Sequence, residues 1–333
     1  MADVVRKPTI VDVARAARVS TATVSRVLNG RRVTDPELVR RVQQAAEQLR
    51  YRPSGTARSL KAGVTRLVGV VVPDLANPSF SELLRGLADA AGGYGHRLLV
   101  ADSKERQDEE RTLIHELAPR CDGLVLCSPR LPLEDLARLT AGPLVCTNRD
   151  VGGLSISSAG VDSYAGMTEV VRHLAALGHR HLGYLAGPPT SWSDAERQRA
   201  LGDAAAALRL RVTVARAGST SEDGHAALPE LLAAGVSAVV AFNDLVAIGG
   251  LARLRERGLT VPGDVSLTGF DDIPVAQFLD PPLTTVRLPN EEVGRQAWAL
   301  LREQLRQSGR HGAVRLAARL VARASTGTAP GGR

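Results

Sequence analysis

Apolar residues in the first fifty positions recur every three or four places, as they do in helices that bury one face. The spacing predicts three short helices, over about residues 9–17, 20–29 and 35–49. A tight turn at Arg18-Val19 separates the first two helices. Two helices joined in this way have the layout of a helix-turn-helix motif.

The second predicted helix has a polar face that differs from that of a support helix. Its inward positions are apolar, and its outward positions are Thr21, Ala22, Ser25, Arg26 and Asn29. A support helix would carry Glu and Lys on that face, whereas hydroxyl groups suit the phosphates and base edges of a DNA major groove. Arg26 suits guanine, because a guanidinium offers a fork of donors to two acceptors.

From residue 66 the pattern changes to short apolar runs that alternate with amphipathic stretches of helical spacing. The runs cover residues 67–73, 96–102, 123–128, 143–146, 181–187, 236–242 and 264–270. Short strands that are buried on both faces and separated by helices indicate parallel α/β layers. Because about ten such strands would crowd one open sheet, the pattern predicts two similar lobes.

Polar side chains follow these runs, where the ligands of α/β proteins bind. They are Asp74, Asn77, Asn148, Arg149, Asn243, Asp244, Asp271 and Asp272. Carboxylates and amides grip hydroxyl groups, as a sugar or polyol would require. Several of them also precede predicted helices and can cap them, which is the favoured interpretation for Asp244 and Asp272.

The distribution of charge separates the chain into two parts. Residues 1–63 hold 13 Lys and Arg against 5 Asp and Glu, a net charge of +8, and the other 270 residues total −1. A compact basic module on a neutral body indicates binding to the phosphates of duplex DNA. The three cysteines, Cys121, Cys127 and Cys146, lack the CxxC spacing of a metal site, so we expect no metal and no cofactor.

Other classes of protein are disfavoured. The sequence contains no signal-peptide pattern and no apolar run long enough to span a bilayer, so we expect a cytoplasmic, nucleoid-associated protein rather than a transport-type binding protein. It contains no GxGxxG after the first strand and no GxxxxGK[ST], GxSxG or HExxH motif, so we do not expect an enzyme. Asp271 and Asp272 could imitate a catalytic pair of carboxylates, but adjacent residues on a predicted turn seldom point at the same bond of a substrate.

Three stretches carry a family resemblance: TIVDVARAARVSTATVSRVLNG, LRYRPSGTARSLKAG and GVVVPDLANPSF. It continues through AFNDLVAIG, VSLTGFDDIPVAQFLDPPLTTV and LVARAST. In this order, and over essentially its whole length, the chain resembles the LacI/GalR family of bacterial transcription regulators.

The resemblance implies an N-terminal all-α helix-turn-helix head, a hinge helix or linker, an α/β periplasmic-binding-protein-like core and a flexible tail. The corresponding residues are 1–52, 53–65, 66–328 and 329–333. The core would consist of two doubly wound lobes, 66–160 plus 289–318 and 161–286 plus 319–328. Three crossovers would join the lobes, the effector would bind in the cleft between them, and the core would form a homodimer.

For DNA binding, the family's base-reading positions fall on Thr21, Ala22 and Arg26. The positions that contact the DNA backbone or support the head are Thr9, Ser20, Thr23, Ser25, Asn29 and Tyr51. Leu60 and Lys61 match the minor-groove positions of the hinge. Residues 53–62 are expected to fold on operator DNA with Leu60 as the wedge, although a plain flexible linker is the alternative.

For the effector, the resemblance points to Asn77, Phe80, Asn148, Arg199, Asn243 and Asp271. Ser193 is near enough to Arg199 to join them, and Arg197 is the alternative to Arg199. Phe80 could stack on a pyranose, as could Trp192, Phe242 or Phe270. The expected function is that of a repressor released from a palindromic operator by a small sugar or polyol. The alternative is a repressor strengthened by a co-repressor, either a nucleobase-like ligand or a partner phosphoprotein.

Overall fold

The computed structural model describes residues 8–28, 35–51, 64–139, 142–307 and 311–330. The chain divides into two compact units, Met1–Thr65 and Arg66–Arg333. Within the described ranges, no helix has the length and apolarity needed to cross a membrane.

The described part of the first unit is helical, as predicted. Its helices are α1 (Ile10–Ala17), α2 (Thr21–Leu28) and α3 (Pro36–Gln48). Thr9 caps α1 through a capping box with Asp12, and Asp35 caps α3 just before the proline at its first position.

One valine from each helix fills the centre of this unit. Val13, Val24 and Val42 are fully buried and form a single cluster with the small alanines around them. Between α1 and α2 the backbone turns at Arg18, which adopts the left-handed conformation with φ 54°. The turn presents the polar side of α2 to solvent.

The second unit is built from parallel strands and helices in alternation. Its strands are β1 (Leu67–Val72), β2 (Arg97–Asp102), β3 (Gly123–Cys127), β4 (Leu144–Thr147), β5 (Ser157–Val161), β6 (His181–Ala186), β7 (Arg211–Arg216), β8 (Ala238–Ala241), β9 (Ser266–Thr268), β10 (Thr285–Arg287), β11 (Ala313–Leu316) and β12 (Arg319–Val321). Its α-helices are α4 (Pro78–Gly92), α5 (Gln107–Leu117), α6 (Leu133–Ala137), α7 (Ser163–Ala176), α8 (Trp192–Leu208), α9 (Ser221–Ala233), α10 (Asp244–Glu256) and α11 (Asn290–Arg306). Short 3₁₀ turns lie at Ala118–Arg120 and Pro274–Phe278.

These strands form two separate parallel sheets, each of which defines a lobe. Lobe one has six strands in the order β11-β5-β4-β3-β1-β2, and lobe two has four in the order β7-β6-β8-β9. The chain leaves lobe one after β5, returns at α11, and crosses again after β11. The antiparallel pair β10-β12 lies at these crossings. Two doubly wound lobes joined by three crossovers confirm the predicted fold class.

Two glycines set the start of α4 relative to α11. A Cβ atom at Gly86 would lie 2.0 Å from the carbonyl oxygen of Glu291, and one at Gly294 would lie 2.2 Å from that of Leu83. The two helices can approach this closely only because both positions lack a side chain. The approach brings Asn290 to Ser79, whose hydroxyl accepts a 2.8 Å hydrogen bond from the Asn290 amide at the mouth of the cleft.

All seven predicted apolar runs form strands, but the pattern did not predict several strands that contain polar residues. Strand β5 has the sequence SSAGV and no continuous apolar run, and β7 is an edge strand with exposed alternate residues. Strands β10, β11 and β12 are short. Strands β10 and β12 pair with each other at the crossovers, and β11 pairs with β5 at the edge of the lobe-one sheet. Their pairing depends on contacts between distant parts of the chain, which a local window does not contain.

Candidate functional site

The outer face of α2 presents the predicted base-reading positions together. Thr21, Ala22 and Arg26 are exposed on it, whereas Val24 and Val27 are buried on the opposite side. The Arg26 side chain lies along the helix with its Nε 3.5 Å from the Ala22 carbonyl oxygen. Its guanidinium is therefore available at the surface for a ligand of opposite charge.

The neighbouring polar residues hold the head in shape. Ser20 Oγ accepts a hydrogen bond from the Thr23 amide at 3.2 Å and contacts the Thr23 hydroxyl at 2.9 Å, which caps α2. The Thr9 side chain is used in the capping box of α1. Ser25 is half-buried beside the exposed face, and Tyr51 packs against the head core. The predictions for Asn29, Leu60 and Lys61 fall outside the described residues.

A cleft lies where the strands of both lobes end, and it encloses about 550 Å³ including its mouth. Six of the seven predicted effector residues line it: Asn77, Phe80, Asn148, Ser193, Asn243 and Asp271. Its remaining lining is mostly polar and consists of Asp74, Ser79, Glu105, Ser128, Arg130, Ser163, Ser191, Arg197, Ser219, Phe242 and Leu288. The sequence argument from strand ends predicted five of the lining residues: Asp74, Asn77, Asn148, Asn243 and Asp271.

Arg199 does not reach the cleft, so the family register used for it is corrected. Its side chain is 55% exposed on the outer side of α8 and donates to Glu196 through Nε and Nη2 at 3.1 and 2.8 Å. Its guanidinium also lies 4.3 Å from the ring centre of Tyr164. Residues two apart on a helix point about 200° apart, so only one of Arg197 and Arg199 can face the cleft.

Arg197 is the arginine that faces the cleft. Its side chain is 5% exposed, and its Nη2 lies 3.6 Å from Asp271 Oδ1. The guanidinium carbon lies 3.7 Å from the ring centre of Phe270 and 4.9 Å from that of Phe242, and Nη1 donates to the Phe242 carbonyl. A signal for this existed in the sequence, since Arg197 lies four residues after Ser193 and three before the buried Ala200.

Asp271 connects the two sides of the cleft. Burial raises the pKa of its carboxyl to about 6, against the opposing effect of Arg197 and of side-chain hydrogen bonds with Asn77 and Ser79 of lobe one. Its φ of 120° is rare for a residue with a side chain, so the surrounding contacts hold this backbone in a strained form. Strain of this kind is common at ligand sites.

A second ion pair faces the cleft from lobe one, and the sequence analysis missed it. Arg130 is 4% exposed, forms a bidentate pair with Glu105, and donates from Nη1 to the Ser128 carbonyl at 2.8 Å. Arg130 follows the apolar run 123–128 closely, so the argument from strand ends could have included it. Each lobe therefore contributes one buried arginine that is paired with a carboxylate.

Asn243 and Asn77 each cap a helix and also line the cleft. The Asn243 carbonyl caps α10 by accepting from the Val246 amide at 2.8 Å, and its Nδ2 donates to the Ser219 carbonyl at 3.0 Å. Asn77 caps α4 by accepting from the Ser79 amide at 3.0 Å. Both side chains still line the cleft, so capping fixes the orientation in which they meet a ligand.

Asp244 and Asp272 do not cap helices as the sequence suggested. Asp244 is fully buried and accepts hydrogen bonds from the Ile273 amide at 2.8 Å and the Thr285 hydroxyl at 2.5 Å, and burial raises its pKa to about 7. Asp272 pairs with Arg287 and Arg323, each at 2.6 Å. Both carboxylates tie the crossovers to lobe two.

A further hydrogen bond crosses the cleft between the lobes. Ser193 Oγ donates to the Asn148 carbonyl at 3.2 Å, and Asn148 adopts a left-handed backbone with φ 48°. Trp192, the neighbour of Ser193, does not line the cleft but a groove beside it. Phe270 is fully buried beneath Arg197, so it offers no free face to a ligand.

Groups of three or more His, Cys, Asp or Glu that could hold a metal ion do not occur among the described residues. The cysteine thiols are also poor ligands, because burial raises the pKa of Cys127 and Cys146 to about 12. The histidines near β6 have structural partners: His179 is fully buried and bonds the hydroxyls of Ser237 and Ser266.

Comparison with known proteins agrees with both sites. Residues 9–54 match the family "Bacterial regulatory proteins, lacI family", and residues 171–326 match the "Periplasmic binding protein-like domain". The HTH-type transcriptional repressor CytR of Escherichia coli strain K12 is 33% identical in an alignment of 335 positions that covers 97% of this chain and 97% of CytR.

Two solved structures cover nearly the whole chain. The lac repressor dimer bound to operator and the anti-inducer ONPF has a TM-score of 0.81 at 27% identity, over 97% of this chain and all of the other. The complex of the transcriptional regulator CelR with cellobiose has a TM-score of 0.72 at 29% identity, over 96% of this chain and 99% of the other. With a helix-turn-helix head, a two-lobed core and a whole-length relative at 33% identity, this chain belongs to the lacI family of bacterial regulatory proteins, which are DNA-binding transcriptional regulators.

Proposed function

We propose that this chain is a homodimeric repressor that binds a palindromic operator through α2 and leaves it when a small sugar or polyol binds in the cleft. The observation that carries the proposal is the lining of the cleft. Arg197 and Asp271 from lobe two stand with Arg130 and Glu105 from lobe one, and serines and asparagines surround them. Such groups bind neighbouring hydroxyls in pairs. A guanidinium donates two parallel hydrogen bonds, and a carboxylate accepts two with its two oxygens.

The aromatic residues favour a sugar over a nucleobase. A purine or pyrimidine is held best between flat apolar faces, but the rings of Phe242 and Phe270 are already covered by the Arg197 guanidinium. Phe80 is half-buried and leaves one ring for the apolar face of a pyranose. The crystallised complex of CelR with cellobiose supports the same class of ligand, since that chain shares this fold.

We expect release from DNA because the ligand and the operator would each bind one arrangement of the two lobes more tightly than the other. A ligand that contacts Asp271 and Asn77 together favours the arrangement in which the lobes are closed. If that arrangement binds operator more weakly, operator must weaken the binding of the ligand by the same factor. Typical coupling of this kind is about 1–3 kcal/mol per site.

The first experiment is a thermal-shift screen with glucose, galactose, ribose and cellobiose beside adenine and cytosine. We expect a sugar to raise the melting temperature by mass action and the nucleobases to leave it unchanged. An operator is then selected from random duplex DNA, and its fluorescence anisotropy is followed as the active sugar is added.

Loss of anisotropy supports the proposal. A sugar or nucleobase that tightens the complex would show a co-repressor system. A screen in which only nucleobases stabilise the protein would overturn the ligand class. A protein that responds to no small molecule but gains operator affinity with a phosphoprotein would show regulation by that partner.

A further inference from the structure

A second groove opens beside the cleft, on the side of lobe one where β11 forms the edge of the sheet and β5 lies next to it. Ser158 and Gly160 of β5 form its floor with Ala313 of β11. Trp192 and Arg149 stand at its sides. Asn148 lines both the groove and the cleft, so the two spaces lie on either side of that residue.

The register of the two strands explains why the groove is open. Ala313 pairs with Ser158, and Arg315 pairs with Gly160, so these four residues point to one face of the sheet. Ala159 lies between them and belongs to the buried core on the other face. Because the floor consists of small residues, it leaves a depression where a larger pair of side chains would fill the space.

Gly160 also keeps the groove close to the cleft. A Cβ atom there would lie 3.3 Å from both the amide nitrogen and the Cα atom of Asn148. That is tighter than nearly all real contacts of this kind, so a side chain would press against the segment that separates the two spaces. Glycine therefore lets Asn148 stay close to the floor.

The walls carry the groups that a sugar ring needs. Trp192 is the first residue of α8, between Ser191 and Ser193, which both line the cleft, and its indole is half-buried. Arg149 donates from Nη2 to the Leu131 carbonyl at 3.4 Å, whereas its Nε is buried with no hydrogen-bond partner. A flat apolar ring and a guanidinium that line the same groove fit the apolar face and the hydroxyl edge of a pyranose.

Arg315 closes the far end of the groove and is fixed by both lobes. Its Nη2 lies 3.5 Å from Asp162 and 3.8 Å from Glu196, which belongs to α8 of lobe two. The Trp192 wall and the sheet floor come from different lobes, so a ring held between them would contact both. A second ring in the groove would therefore add to closure of the lobes.

We propose that this groove is a second sugar subsite, so that the effector is a disaccharide or a longer saccharide with one unit in the cleft and the next ring packed on Trp192. This inference rests on the proposed function of the cleft as a sugar site. It assigns the groove to carbohydrate because the groove adjoins the cleft at Asn148 and is lined by Trp192 and Arg149.

The first test compares matched saccharides by titration calorimetry with the full-length protein. Glucose is compared with cellobiose and maltose, and galactose with lactose and melibiose. For at least one pair we expect the disaccharide to bind about ten-fold more tightly or better, as an added stacked ring would allow. Trp192→Ala should bring that ratio close to one, and Trp192→Phe should restore most of it.

A second measurement uses the scarcity of tryptophan. The chain has two tryptophans, Trp192 and Trp298, and Trp298 is buried in lobe one against Tyr94 and His96. Trp298→Phe therefore leaves Trp192 as the sole reporter and also serves as the matched control for loss of a tryptophan. In this variant the favoured disaccharide should protect Trp192 from quenching by acrylamide, and the matching monosaccharide should not.

The outcomes separate this inference from the function on which it rests. Equal binding of monosaccharides and disaccharides, or a ratio that Trp192→Ala leaves unchanged, would overturn the subsite while the cleft remains a sugar site. If no sugar binds at all, the proposed effector class fails and the subsite fails with it. A disaccharide preference that disappears in Trp192→Ala and persists in Trp298→Phe supports the proposal.

Discussion

The outer face of α2 and the cleft of the core contain the same kinds of side chain in opposite states. Arg26 lies exposed on the face of α2, where its Nε is 3.5 Å from a carbonyl of its own helix. Arg197 is 5% exposed, stacked on Phe270 and placed against Asp271. Hydroxyls differ in the same way, since Thr21 is exposed and Ser193 is bonded across the lobes.

The difference determines what a substitution removes. An exposed side chain exchanges water for DNA when it binds, so its loss lowers affinity and leaves the fold intact. A buried, bonded side chain is already in its binding geometry and also supports its neighbours, so its loss lowers both affinity and stability. The predictions below separate these two behaviours.

The largest effect is expected for Arg197→Ala. It leaves the buried Asp271 without its partner, and removal of one member of a buried ion pair costs about 3–5 kcal/mol. The free energy of unfolding from denaturant titration should fall by an amount at the lower end of this range, because Asp271 can take up a proton, and release of operator by the sugar should be lost.

The matched control is Arg199→Ala, two residues away on the same helix. Because Arg199 is 55% exposed in surface ion pairs, this variant should stay within about 0.5 kcal/mol of wild type and respond normally to the sugar. Loss of the response in Arg199→Ala with a normal response in Arg197→Ala would show that the cleft is assigned to the wrong side of α8.

Arg26→Ala tests the exposed surface. It should weaken binding to the selected operator by about 1–3 kcal/mol, change binding to random duplex little, and leave the melting temperature unaltered. Anisotropy titrations with both DNAs measure the difference. Arg31, in the loop after the second predicted helix and outside the described residues, is expected from sequence to act mainly on phosphates, so Arg31→Ala should weaken binding to both DNAs. Equal losses on both DNAs for Arg26→Ala would remove its role in base readout.

The pH dependence of sugar binding tests Asp271. Because the pKa of Asp271 is about 6, its side chain is mostly ionised above pH 6 and mostly protonated below it. The ionised carboxylate accepts hydrogen bonds from hydroxyl groups of the sugar. Affinity measured by calorimetry should therefore fall as the pH drops below 6, by at most about ten-fold per pH unit. Asp271→Asn should bind weakly with no such slope, and an unchanged slope in that variant would assign the titration to another group.

The stability of the free protein should change with pH in the opposite direction. Because the folded pKa of Asp271 lies above the ordinary 3.8, the folded state holds this proton more tightly than the unfolded chain. The contribution is complete below about pH 4 and is lost as the pH rises through about 6. Asp271→Asn should lack this part of the decline in a denaturant series from pH 4 to pH 7.

The smallest effect is expected for Ser193→Ala. It removes the 3.2 Å hydrogen bond between the lobes, and one such bond contributes about 0.5–1.5 kcal/mol. Sugar affinity measured by calorimetry should fall by the corresponding factor, about two-fold to ten-fold. Ser25→Ala, on α2, is the matched control and should leave sugar binding as it is in wild type. A Ser193→Ala protein with unchanged affinity would show that this hydrogen bond does not support the closed lobes.

Local sequence determined the helices of the head and most strands of the core. Thr9 and Asp35 start their helices through bonds within three residues, and the inward valines of α1, α2 and α3 follow helical spacing. The buried strands of both lobes are continuous apolar runs. These signals are contained within a few residues, so they can be recognised before the chain is folded.

The sequence also predicted that polar residues at strand ends lie close together, because parallel strands bring their carboxyl ends to one edge of the sheet. Asn77, Asn148, Asn243 and Asp271 meet in the cleft for that reason. The argument does not say whether such a residue caps a helix, faces a ligand or does both. Asn243 caps α10 and also lines the cleft, and Asp244 beside it is buried among the crossovers.

Only the tertiary structure decided which arginine of α8 enters the cleft. The helix has small alanines on several sides, and Arg199 has Glu196 and Asp203 at the spacing of surface ion pairs. Which side of it meets Phe242 and Phe270 depends on how α8 packs on lobe two. Likewise, the pairing of Arg130 with Glu105 and the groove beside Trp192 join residues that are far apart in sequence. The chain encodes these contacts through the packing of whole elements, whereas periodicity and capping act within a few residues.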